Sequence, residues 1–177
     1  MLTPTDTGYS FRATWLARGS IDRFGRITQL DKNQGPCPKC LPASAQIETP
    51  SGRVSIAALT VGVPVITLDA RGARVIRPVI SVGSVSVGES HRLIDIELDD
   101  GRHVAASARH PTIDDRTMDA LRAGDRYDGA IVTRVRTVPY AGDRTFDIEV
   151  AGDTSAYFAD GVPLGSTLRR GPRDVVR

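Results

Sequence analysis

The 177-residue sequence predicts an all-β fold with only short helical turns. Three observations predict it. Short alternating runs of branched apolar residues recur along the chain, and turn signals separate them at roughly the 8–12-residue spacing of sandwiches and barrels. Aromatic residues make up only 5% of the sequence, which leaves the interior to Val, Ile and Leu.

The chain divides before its cysteines. Tyr9, Phe11, Ala13 and Trp15 alternate with polar residues, and a second run from Ile21 to Leu30 follows Gly19-Ser20. This reads as a hairpin or a piece of another domain. Asp31-Lys-Asn-Gln-Gly-Pro36 reads as a loop, so residues 1–39 are expected to be a flanking segment. Beyond it, Val63-Pro-Val-Ile-Thr-Leu68 and Arg92-Leu-Ile-Asp-Ile-Glu-Leu98 have the composition and alternation of strands. Turns are marked by Pro50-Ser-Gly52, Asp69-Ala-Arg-Gly72, Asp99-Asp-Gly101, Asp128-Gly129 and Ala141-Gly-Asp143. Helical pattern is confined to Ile56–Leu59 and Thr117–Leu121, and residues 169–177 read as a polar tail.

A faint echo runs through the middle of the chain. Ala58-Leu-Thr-Val-Gly62 resembles Ala120-Leu-Arg-Ala-Gly124, and Leu93-Ile-Asp-Ile-Glu-Leu98 resembles Thr145-Phe-Asp-Ile-Glu-Val150. The pairs keep their order, offset by 62 and 52 residues. Either common β fragments coincide, or two related half-domains fold around a pseudo-twofold axis.

Charge narrows the function classes. The 23 cations, 21 of them Arg, are scattered among 21 anions for a net charge of +2, so nucleic-acid binding is not expected. No stretch of about 18 apolar residues is present, which argues against a membrane span. The first residues carry Asp6, Arg12 and Arg18 without an apolar run, so a secretory signal is not expected. Cys37 and Cys40 cannot build a disulfide framework. They leave the compartment undetermined, a reducing cytosol being slightly favoured.

Four segments carry candidate chemistry. Cys40-Leu-Pro-Ala-Ser-Ala-Gln-Ile47 opens the β region, and Ser107-Ala-Arg-His110-Pro111 follows the Asp-Asp-Gly turn. Phe146-Asp147-Ile-Glu-Val150 is a late strand, and Tyr157-Phe-Ala-Asp-Gly-Val-Pro-Leu-Gly165-Ser-Thr-Leu168 closes the region. In this order they resemble the Hint superfamily, the self-processing domains of Hedgehog proteins and inteins. Cys40 with the Thr49-Pro50-Ser51-Gly52 hairpin is similar to the first block. Ser107 to His110 is similar to the Thr-x-x-His block, and Phe146 to Gly161 to the late Tyr-Asp-Leu…Ala-Asn-Gly block. The resemblance covers residues 40–168 and implies a horseshoe-like β fold with pseudo-twofold halves.

The ending departs from the splicing pattern. Gly165 and Ser166 stand where inteins have His-Asn, and Ser155 or Thr154 occupies the place of the late-block histidine. Ser166 has no side-chain amide with which to form a succinimide, and Thr167 has no evident base beside it. The ending looks like that of non-splicing bacterial intein-like Hint domains.

What the resemblance implies is the N-terminal half-reaction. Cys40 attacks the carbonyl of Lys39, turning the Lys39–Cys40 amide into a thioester. His110 protonates the leaving nitrogen, Ser107 holds the scissile carbonyl or that imidazole, and Asp147 deprotonates Cys40. Water or a thiol then releases residues 1–39. Such a domain acts once per molecule on its own flanking segment, with no cofactor, metal, nucleic acid or membrane. Cys40, His110 and Asp147, 70 and 37 residues apart in sequence, are expected to lie together.

Each residue also has a plainer reading. Cys40 can be a buried core thiol. Cys37-Pro-Lys-Cys40 can be half a zinc site or a redox pair, although a second Cys pair and a βαβ context are both lacking. Cys37 can instead act as an internal thiol on the thioester. His110 can be a turn residue, Ser107 a surface hydroxyl, and Asp147 structural like Asp95 in the other half. For the whole chain the rivals are a non-cleaving connector module and a Cys/His/Asp thiol hydrolase acting on an external substrate.

Overall fold

In the computed structural model the backbone of residues 15–21 and 27–34 and the whole of 40–168 are described. The chain forms two units, Met1–Cys37 and Pro38–Arg177. In the first, β1 (Trp15–Ile21) and β2 (Ile27–Gln34) pair antiparallel. Gly19-Ser20 lies inside β1 at a register shift between Arg18 and Gly19, because a strand glycine marks a bulge as readily as a turn. β2 continues through Asp31–Gln34, which reads as loop. Pairing by backbone hydrogen bonds alone imposes no apolar alternation. Tyr9, Phe11, Ala13, Cys37, Lys39 and the tail 169–177 lie outside the described residues.

The second unit is all-β and horseshoe-like, and among its described residues twelve strands form three four-stranded sheets. Its strands are β3 (Leu41–Pro42), β4 (Gln46–Thr49), β5 (Gly52–Ser55), β6 (Pro64–Leu68), β7 (Arg74–Ser86) and β8 (Arg92–Leu98). They continue as β9 (His103–Ser107), β10 (Arg126–Tyr127), β11 (Ala130–Pro139), β12 (Arg144–Val150), β13 (Ala156–Ala159) and β14 (Val162–Gly165). The sheet orders are β10-β11-β8-β9, β3-β12-β7-β6 and β14-β13-β4-β5. The two helical stretches are 3₁₀ turns at Ile56–Ala58 and Met118–Ala120. Among the described residues no helix is long and apolar enough to cross a membrane.

The sequence echo is a structural repeat. Gly62 N–H donates to Val79 C=O at 2.8 Å, and Val79 N–H returns a bond to Val63 C=O at 2.9 Å. In the other half Gly124 N–H donates to Val132 C=O and Val132 N–H to Asp125 C=O, each at 2.8 Å. Both glycines have left-handed φ, +93° and +94°, which a residue with a Cβ rarely adopts. The halves exchange strands: β8 pairs with β11, and its counterpart β12 pairs with β7. The interior is one cluster drawn from both halves, including Ile47, Ile56, Val65, Ile96, Leu121 and Ile148.

Hairpin tips lock the halves together. Asp128 (φ +48°) and Gly129 (φ +80°) make a two-residue turn between β10 and β11, and Asp160-Gly161 makes another between β13 and β14. Arg102, just past the β8–β9 turn, reaches both. Its guanidinium donates to Asp100 Oδ2 at 2.7 Å, to the Asp128 carboxylate and carbonyl, and to Gly161 C=O at 3.0 Å. Arg102→Ala is therefore expected to cost about 1.5–3 kcal/mol, the range for hydrogen bonds to charged groups, read as a lower urea midpoint at unchanged m.

Candidate active site

Local structure brings three sequence-distant segments together. β3 pairs with β12, Leu41 opposite Phe146 and Pro42 opposite Thr145, which sets Cys40 at the Asp147 end of that ladder. β9 ends at Ser107, whose backbone N–H and hydroxyl both donate to the Cys40 carbonyl, each at 2.9 Å. The chain then turns, His110 N–H donating to Ser107 C=O at 2.9 Å, and His110 C=O accepts from Met118 N–H at 3.0 Å. His110 is thereby carried into the interior with no solvent exposure.

Ser107 is no surface hydroxyl; it is 1% exposed. Its hydroxyl holds the carbonyl of Cys40 itself, and the imidazole it meets is that of His91, with Nε2 at 3.1 Å.

Asp147 is fully buried and accepts four hydrogen bonds. Tyr157 hydroxyl (2.7 Å) and Ile148 N–H (2.8 Å) reach Oδ1, while Thr167 N–H (2.6 Å) and hydroxyl reach Oδ2. Burial pushes its carboxyl pKa up, and the charge of His110 and the Thr167 and Tyr157 hydrogen bonds pull against that. Tyr157 hydroxyl also lies 3.3 Å from His110 Nε2, with the rings edge to face at 6.4 Å. His110, Tyr157, Asp147 and Thr167 thus form one hydrogen-bonded line. Burial raises the Tyr157 pKa well above the usual phenol value, as do its bond to Asp147 and the charge of Cys40. Tyr157 therefore stays protonated and bridges the two titratable groups.

The repeat supplies a control for Asp147. Its counterpart Asp95 pairs with Arg136 at 2.7 Å, an ion pair on the sheet surface. One half uses the position for a surface salt bridge; the other buries a carboxylate beside Cys40 and His110.

Two features escape a sequence reading. Tyr157 stands in the late block but carries no mark of the bridge it makes. Thr167 does have a base beside it, since the fold lays Ser166–Leu168 across β12 with Leu168 packed on Gly83, opposite Asp147. The C-terminal segment is anchored by Ser166 N–H on Ser155 C=O at 3.0 Å and by Gly165 N–H on Pro111 C=O at 3.0 Å.

Solved structures decide what fold this is. The bacterial intein-like domain from Clostridium thermocellum superposes with a TM-score of 0.62 over 73% of this chain and 99% of that one, at 18% identity. The fold is intein-like. A DnaB intein from Synechocystis sp. PCC 6803 matches this Hint fold with a TM-score of 0.60 over 74% of this chain and all of that one, at 15% identity. The MchDnaB-1 intein is 26% identical over 71% of this chain and 98% of its own length, with a TM-score of 0.56. No protein-family model matches the sequence, and no curated protein matches it. The Hint fold is thus recognised here from structure, these three structures being 15–26% identical in sequence.

Proposed function

We propose that this Hint domain cleaves the Lys39–Cys40 bond of its own chain by an N–S acyl shift, without splicing. The observation that carries the reading is the buried His110–Tyr157–Asp147 line beside Cys40. A carboxyl whose pKa is raised by burial accepts a proton better than an exposed one, so Asp147 takes the Cys40 thiol proton. Sγ attacks the Lys39 carbonyl carbon, and His110 protonates the Cys40 nitrogen as the C–N bond breaks. Tyr157, bonded to both, passes the proton from Asp147 back to His110. Water or a thiol then attacks the thioester, releasing residues 1–39 as an acid or a new thioester and restoring the Cys40 thiol. Burial of Cys40 and His110 favours this over hydrolysis of an external substrate, which needs an open cleft. The reading is tested by the mass of the protein after incubation with dithiothreitol.

The C-terminal junction is expected to stay closed. Thr167 hydroxyl has Asp147 as a base, but Ser166 lacks the amide nitrogen that cyclises, and Gly165 lacks an imidazole to assist. A protein fused after residue 177 should therefore remain attached under every condition that cuts before Cys40. A ligated product of residues 1–39 with residues after 166, or a fragment beginning at Thr167, would contradict this in the mass spectrum.

A further inference from the structure

We propose that His91 is a positioning residue for Cys40, acting through the Ser107 hydroxyl; the inference rests on the cleavage reading above. Ser107 Oγ has a single proton, and the structure directs it to the Cys40 carbonyl at 2.9 Å. The 3.1 Å contact with His91 Nε2 is then one in which the imidazole N–H donates and Oγ accepts. The result is a directed chain, His91 N–H to Ser107 O–H to Cys40 C=O, in which each bond polarises the next. Without the imidazole proton the hydroxyl is free to rotate, and only the Ser107 backbone N–H still fixes the Cys40 carbonyl. Placement of the reacting backbone matters, since a misplacement of about 1 Å can cost on the order of 10²-fold in rate.

His91 is built in for this geometry. Its backbone N–H donates to Gly88 C=O at 2.9 Å, and its backbone C=O accepts from Tyr140 N–H at 3.2 Å. Its ring meets the Tyr140 ring edge to face, with centroids 6.1 Å apart. Tyr140 hydroxyl in turn accepts from Ala43 N–H at 3.2 Å and donates to Arg144 C=O at 2.6 Å. Those two residues flank the site, Ala43 just after β3 and Arg144 at the start of β12. The His91–Tyr140 pair is therefore tied to both strands that present Cys40 and Asp147. Partial burial lowers the His91 pKa, so the neutral N–H donor is the form present at neutral pH.

The test compares dithiothreitol-induced cleavage rates of the full chain carrying His91→Phe, His91→Gln, Ser107→Ala or His91→Phe with Ser107→Ala. His91→Phe keeps a ring against Tyr140 and should slow cleavage about tenfold, the worth of one hydrogen bond. His91→Gln, whose amide N–H has similar reach, should restore most of the rate. The double variant should be no slower than Ser107→Ala alone. Equal rates for His91→Phe and wild type, no rescue by Gln, or a further loss in the double variant overturns the proposal. The carbon-13 carbonyl resonance of Cys40, read in a Cys37→Ser background, gives a second measure that needs no cleavage. It should move in His91→Phe and stay in place in His91→Gln; an unmoved resonance in His91→Phe overturns the proposal. A wild-type chain that does not cleave, with the resonance behaving as expected, marks failure of the cleavage reading alone.

Discussion

Cys40→Ala is expected to abolish thiol-induced cleavage, leaving full-length protein after any incubation that cuts the wild type. The thioester can form only at a sulfur on Cys40, and no neighbouring hydroxyl substitutes for it. Ser107 Oγ is committed to the Cys40 carbonyl, and Thr167 lies against Asp147 on the far side of the line. The variant should still fold, because the Cys40 carbonyl that Ser107 holds belongs to the backbone and survives the change, while loss of the buried sulfur lowers stability modestly. A cooperative thermal unfolding transition alongside lost cleavage separates chemistry from folding. Cleavage at the wild-type rate in Cys40→Ala would sink the mechanism.

His110→Ala is expected to slow cleavage by about 10²-fold or more, as loss of a general acid typically does. Two effects combine in that number. The leaving nitrogen loses its proton donor, and Asp147 loses the positive charge that offsets its burial. With that charge gone the carboxyl pKa rises further, so Asp147 becomes neutral over a wider pH range and accepts a proton less often. The rate of His110→Ala should consequently recover in part as pH is raised, followed as cleavage rate against pH. A rate unchanged from wild type would remove His110 from the mechanism, and a loss with no pH dependence would remove its coupling to Asp147. Tyr157→Phe cuts the link while keeping the ring, and its loss should be smaller.

Much of the fold can be read from local chemistry. Arg92–Leu98 alternates because one face of β8 meets the core while Asp95 and Glu97 meet arginines, so its period is written in its residues. Asp128-Gly129 forms its turn because both positions need positive φ. The Ala-Leu-x-x-Gly echo marks two turns that must each end in left-handed backbone. β2 is less legible, since Asp31–Gln34 has the composition of a loop and only its pairing with β1 makes it a strand.

The site divides along the same line. Cys40, His110 and Asp147 stand out by residue type and order. Their connections do not, because a hydrogen bond between residues 47 positions apart, as between Tyr157 and His110, leaves no periodic trace. Ser107 shows this most clearly. Its place three residues before His110 is plain in the sequence, whereas the carbonyl it holds depends on how β9 meets the start of β3. Thr167 acquires its base the same way, by the path of the closing segment over β12.

The mass of the intact chain tests the central claim most directly. Freshly purified protein, incubated with dithiothreitol, with hydroxylamine or with neither, is followed by mass spectrometry. Self-cleavage at Cys40 predicts two fragments that divide between residues 39 and 40, the smaller carrying the added thiol or hydroxamate when the nucleophile is present. Their appearance should be faster with either nucleophile than without. A single 19.0 kDa species after prolonged incubation under all three conditions would contradict the account and leave the domain a connector that keeps the Hint fold without its chemistry.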